Sequence, residues 1–180
     1  MTSADERGLA VGLRATVRAV VGQSDTAIAM GSGDVPVLAT PRLLALAEAA
    51  SVAAVAPQLA RGQTSVGTEA QLEHRRACPL GAELSVEAEL TEIEGSRLAF
   101  VFIARRAPAA SGQPDPAAPG GSDPSGSDLG STDAGGHGGP GGSGGADGED
   151  LVVGAGTLRR VVLDRDRFLA RLPGSAAGRW

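Results

Sequence analysis

The chain has no lysine and no tyrosine, one cysteine, and an aromatic content of only 2%. Each shortage excludes something. With Cys78 alone there is no intrachain disulfide, and a cysteine-based metal centre is not expected. With so few rings the core must be aliphatic, and at 42% apolar residues over 180 positions there is enough aliphatic material for one ordinary domain. No run of about 20 uninterrupted apolar residues is present to span a bilayer. The opening MTSADERGLA carries acids and no apolar core, so it does not read as a secretory leader. These features lead to the expectation of a soluble, cytoplasmic protein.

What is present is organised around Val37 to Leu59 (VLATPRLLALAEAASVAAVAPQL), which reads as one long helix. Thr40 suits the N-cap, Pro41 suits the first helical position, and no glycine or proline interrupts the run before Pro57. Apolar residues fall on almost every side, the pattern of a helix covered all round. Its one carboxylate, Glu48, has Leu44, Ala45, Ser51 and Val52 as its helical neighbours. A carboxylate in such a stripe is costly unless paired or protonated.

Five stretches alternate with period two and predict strands. Residues 11 to 21 alternate small apolar residues with Arg14, Thr16 and Arg18. Residues 63 to 77 place Val66, Ala70, Leu72 and His74 on one face and Glu69, Gln71, Glu73 and Arg75 on the other. After a turn at Pro79-Leu80-Gly81, Leu84, Val86, Ala88 and Leu90 form the cleanest alternation. Glu94-Gly95-Ser96 then leads to Leu98, Phe100, Phe102 and Ala104, and residues 151 to 163 resume as the fifth strand, with a short helix expected between Asp164 and Leu172.

Between the last two strands, residues 107 to 149 are mostly Gly, Ser, Pro, Ala and Asp, the composition of a disordered insert. Loop-closure entropy grows only logarithmically with length, so a fold can carry such a segment at a hairpin tip. It holds Asp115, Asp123, Asp128, Asp133, Asp147 and Glu149 and no basic residue, so the formal charge of −5 becomes about +1 without it. The predicted organisation is a single domain from residues 1–106 and 150–172, the insert at 107–149, and a flexible tail at 173–180. A long helix followed by strands fits an α+β antiparallel five-stranded sheet curled round one central helix, the hotdog architecture.

The segments VLATPRLLALAEAAS, SVGTEAQLEHRRACPLG and VGAGTLRRVVL, in this order and spacing, resemble those of the fluoroacetyl-CoA-specific thioesterase family of hotdog proteins. The resemblance implies hydrolysis of an acyl-CoA thioester by a homodimer, with no cofactor, no metal and no nucleic-acid or membrane partner. It places the catalytic residues at Thr40, Glu48 and His74 and substrate or CoA contacts at Gly67, Arg160 and, more loosely, Ala27. Family members specific for fluoroacetate carry phenylalanines ahead of the helix, whereas residues 27 to 39 (AIAMGSGDVPVLA) have none, so fluoroacetyl specificity is not implied.

The chemistry fits these residue types. Thioester hydrolysis needs a base or nucleophile, a group to move or orient protons, and donors for the developing oxyanion. By resemblance Glu48 activates water or attacks the carbonyl, His74 orients or shares protons, and Thr40 hydrogen-bonds the carboxylate or the substrate. Structural readings stand beside these: Glu48 as a helix acid reaching solvent, His74 as a satisfied core histidine, Thr40 as a helix cap, and Arg159 and Arg160 as solvated surface or as partners of CoA phosphates. His137, within the insert, and Trp180, at the terminus, are assigned no role.

Thr40 and Glu48 are about 12 Å apart along a helix, too far to touch directly, so a site using both is more naturally completed by a second chain. The competing functional class is a non-catalytic acyl or CoA-binding module on the same fold. A hotdog hydratase is a third reading, but the Asp-His motif of those proteins is not found.

Overall fold

The computed structural model describes residues 8–107 and 151–172. The expected tail and all but the first residue of the expected insert lie outside them. Strand β1 (Arg14–Val20) leads through a 3-10 turn (Gln23–Asp25) to helix α1 (Thr40–Val55), and a second 3-10 turn (Ala56–Gln58) precedes β2 (Gln63–His74). Strands β3 (Glu83–Glu94), β4 (Arg97–Arg106) and β5 (Leu151–Asp164) follow, and a short helix α2 (Arg165–Leu169) is the last element among the described residues. All strand pairings are antiparallel and the order across the sheet is β1-β3-β4-β5-β2.

The sheet packs one face on α1, which is the predicted hotdog arrangement. Leu84, Val86, Ala88 and Leu90 of β3 and Leu98, Phe100, Phe102 and Ala104 of β4 are all buried, as their alternation requires. They meet Leu43, Leu46, Ala47, Ala50, Ala54 and Val55 on one side of the helix. Gly154 of β5 lies under this packing: a Cβ there would come within 2.9 Å of both Leu43 Cδ2 and the Glu73 carbonyl oxygen. The absence of a side chain lets strand and helix approach.

Four expectations change. First, α1 begins at Thr40 rather than Val37, because residues 37 to 39 are extended and bonded across the loop: Leu38 N–H donates to the Cys78 carbonyl at 2.8 Å, and Val37 bridges Pro79. Second, Ala39 is the N-cap and Thr40 is already helical, so its side chain does not cap. Third, α1 is not covered all round. Ala45, Ala49, Val52 and Ala53 form an exposed stripe, and alanine is small enough to stand on a surface as readily as in a core. Fourth, the turn at Pro79-Leu80-Gly81 forms but does not join neighbouring strands, since β4 and β5 lie between β2 and β3 and the segment must cross the end of the sheet. Asp164 begins α2 by accepting a hydrogen bond from Arg167 N–H at 2.8 Å, within the region where a terminal helix was predicted.

Candidate active site

Strand β2 lies at an edge of the sheet, with β5 on one side and no strand on the other among the described residues. A bulge interrupts it: Gly67 stands opposite Arg160 and Glu69 opposite Arg159, leaving Thr68 without a counterpart. The extra residue reverses the facing of everything before it. Strict alternation would put Val66 with Leu72 and His74; instead Gly67 joins them on the face toward the helix, and Val66 falls on the other side. Sequence patterning missed this because a bulge leaves no period of its own.

The bulge seats Gly67 beneath Glu48. A Cβ at Gly67 would collide with Glu48 Oε1, so glycine there leaves the carboxylate room to stand where it does. Arg160, across the ladder on the same face, places its guanidinium Nη1 3.7 Å from Glu48 Oε1. The arginine side chain is 6% exposed and the glutamate side chain 44% exposed. Ser65 fixes the arginine: Nε donates to the Ser65 hydroxyl at 3.0 Å and Nη2 donates to the Ser65 carbonyl at 2.9 Å. Burial lowers the Arg160 pKa and Glu48 opposes that shift, and a guanidinium remains charged throughout. Ser65 went unread although it stands two residues before Gly67, because its inward facing depends on the same bulge. The helix supplies its own local support, with the Ser51 hydroxyl donating to the Glu48 carbonyl at 2.7 Å.

A second pair lies at the other end of β2. The Thr40 hydroxyl and His74 Nδ1 are 3.0 Å apart, joining the first residue of α1 to the last of β2. Burial holds the imidazole below its ordinary value of 6.5, with the Arg76 backbone opposing. His74 is therefore neutral at pH 7, and the hydroxyl can donate to an unprotonated Nδ1. The other ring nitrogen, Nε2, is buried and makes no hydrogen bond of sound geometry among the described residues.

Thr40 and His74 line a cavity of about 280 Å³ whose other wall is the loop before the helix, including Ala27 and Gly33. That loop is anchored by Asp25, whose carboxylate meets Arg42 at 2.7 Å and accepts a hydrogen bond from Gly22 N–H at 2.9 Å. Their pairing was not foreseen from the sequence, since one acid in an irregular loop and one base on a helix give no pattern to join them. The six predicted site residues thus fall into two groups, Ala27 with Thr40 and His74, and Glu48 with Gly67 and Arg160.

Residues 21–112 match the family described as fluoroacetyl-CoA-specific thioesterase, FlK. The chain belongs to this family. A curated family relative, the fluoroacetyl-CoA thioesterase of Streptantibioticus cattleyicolor, is 42% identical over 64 residues, which cover 36% of this chain and 46% of that protein. The alignment therefore spans less than half the length of that relative. A solved structure of the fluoroacetyl-CoA thioesterase FlK superimposes with a TM-score of 0.62 at 27% identity, covering 92% of this chain and 99% of that one. A threonine-to-serine variant of FlK in complex with acetyl-CoA gives a TM-score of 0.62 at 25% identity, over 91% and 96% of the two chains. Among the described residues no helix is long and apolar enough to cross a membrane.

Proposed function

We propose that this protein hydrolyses an acyl-CoA thioester to the free acid and CoA. The observation that carries the reading is the seating of Glu48: a carboxylate 44% exposed, facing a glycine and held by a buried, doubly anchored arginine, is accessible and oriented rather than buried for stability. In this reading Glu48 is the base or nucleophile, Gly67 leaves the space that its carboxylate occupies, and Arg160 fixes its direction. The hydrogen-bonded Thr40–His74 pair orients the carbonyl, and the proton removed from the attacking water goes to the CoA sulfur as the C–S bond breaks. No cofactor is required.

The functional unit in this reading is a homodimer. The Thr40–His74 and Glu48–Arg160 pairs do not touch, yet both lie along β2, whose outer edge is open. Antiparallel pairing of two β2 edges brings the His74 end of one strand against the Gly67 end of the other and covers an otherwise unpaired ladder. The rest of the reading is a single domain interrupted by the 107–149 insert, with a 173–180 tail and a cytoplasmic location.

Release of free CoA from a panel of acyl-CoA thioesters tests the activity, and its absence from all of them would leave the non-catalytic binding module. Light scattering tests the dimer, and monomer alone at micromolar concentration contradicts it. Mixing Glu48→Gln with His74→Ala chains under exchanging conditions tests the shared site: partial recovery of activity is expected, and none if each subunit carries a complete site.

A further inference from the structure

The cavity beside Thr40 and His74 is two-sided. Its polar side carries the threonine–histidine pair, with Arg75 and Arg76 beyond it, and its other side is built from Ala27, Gly33, Val35 and Val37, with Ser32 the one polar residue among them. It is an open groove of about 280 Å³, far more space than the methyl group of an acetyl ester fills. No aromatic side chain lines it. Val35 is 50% exposed, an apolar surface that gains by being covered.

We propose that the acyl group taken by this site is an unbranched aliphatic chain longer than acetyl, the class of butyryl and hexanoyl thioesters, lying against Gly33, Val35 and Val37. This rests on the thioesterase reading and specifies its substrate. With the thioester carbonyl at Thr40 and His74, the alkyl chain is directed across the cavity to the valine wall. Gly33 packs closely on Ala27: a Cβ there would stand 3.3 Å from Ala27 Cβ, so a larger side chain at either position alters this wall of the cavity. The arginines do not alter the preference. Arg75 is already tied to Glu73, with Nη2 2.6 Å and Nε 2.9 Å from the same carboxylate oxygen, and Arg76 stands exposed toward solvent.

The test is steady-state CoA release by the full chain from acetyl-, butyryl-, hexanoyl- and succinyl-CoA. Each buried methylene is expected to raise kcat/KM about fourfold, so butyryl-CoA should exceed acetyl-CoA by about tenfold or more. Gly33→Val should cut the hexanoyl-to-acetyl ratio by about tenfold. Val35→Phe, on the exposed wall, should do the same without disturbing the contact between Gly33 and Ala27 and decides the matter if Gly33→Val fails to fold. A flat or falling series, succinyl-CoA surpassing butyryl-CoA, or an unchanged ratio in folded Val35→Phe would overturn the proposal while leaving the thioesterase reading intact. Release of CoA from none of the four would overturn both.

Discussion

Thr40 spends its hydroxyl on His74, 3.0 Å away, and not on capping the helix that it begins. A threonine ahead of an apolar helical run is ordinarily explained by the cap alone, and the two explanations separate cleanly under substitution. Loss of a capping threonine costs about 1 kcal/mol. Thr40→Ala should leave the thermal midpoint almost unchanged and lower turnover, and Thr40→Ser should restore most of it. A large drop in the midpoint would return Thr40 to a capping role.

For Glu48 the decisive change is Glu48→Gln, which keeps size and hydrogen-bonding capacity and removes basicity. Turnover should fall by about 10² or more, the usual scale for a general base. Stability should fall modestly, because the buried Arg160 guanidinium loses its counter-charge while keeping both bonds to Ser65. Measuring CoA release and thermal midpoint on one preparation checks both, and undiminished turnover rules out a catalytic Glu48.

Gly67→Ala probes the seat rather than the acid. The strand backbone accepts alanine there, but the methyl group drives Glu48 Oε1 from its position. Displacement of a reacting group by about 1 Å costs on the order of 10²-fold, and that loss is expected in kcat with the thermal midpoint near wild type. If kcat is unaffected, Glu48 does not work from the position described.

The pH dependence follows from the buried His74. Its folded pKa lies below 6.5, so as pH falls the unfolded chain takes up a proton before the folded chain does. The stability associated with neutral His74 is therefore complete above pH 6.5 and is lost as pH falls through the folded pKa. Turnover should decline over the same acid range, since a protonated Nδ1 cannot accept from Thr40. Profiles of kcat/KM and thermal midpoint for wild type and His74→Gln check this, and an acid limb centred above 6.5 would contradict the burial effect.

The fold was largely legible because β3 and β4 alternate cleanly and α1 is continuous, both properties of local sequence. The lost parts were non-local. The extended stretch at 37–39 is set by bonds to residues near Cys78 and Pro79, and the placement of β2 beside β5 is set by pairing across 80 residues or more. Within the site, Glu48 and His74 stood out as polar groups among apolar neighbours. Ser65 and Asp25 did not, because a serine in a strand and an aspartate in a loop acquire meaning only from the arginines that folding delivers to them.

Thr68 has no partner across the ladder, and its hydroxyl merely donates to the Arg159 carbonyl at 3.2 Å, so its side chain is open to replacement. Its presence as a unit of chain length is another matter. Removing that single residue acts as a reading-frame shift in side-chain facing: Gly67 and Ser65 would turn outward, Val66 would swing under the carboxylate, and Arg160 would lose its clamp. The strand can drift in composition at this point but cannot change its count.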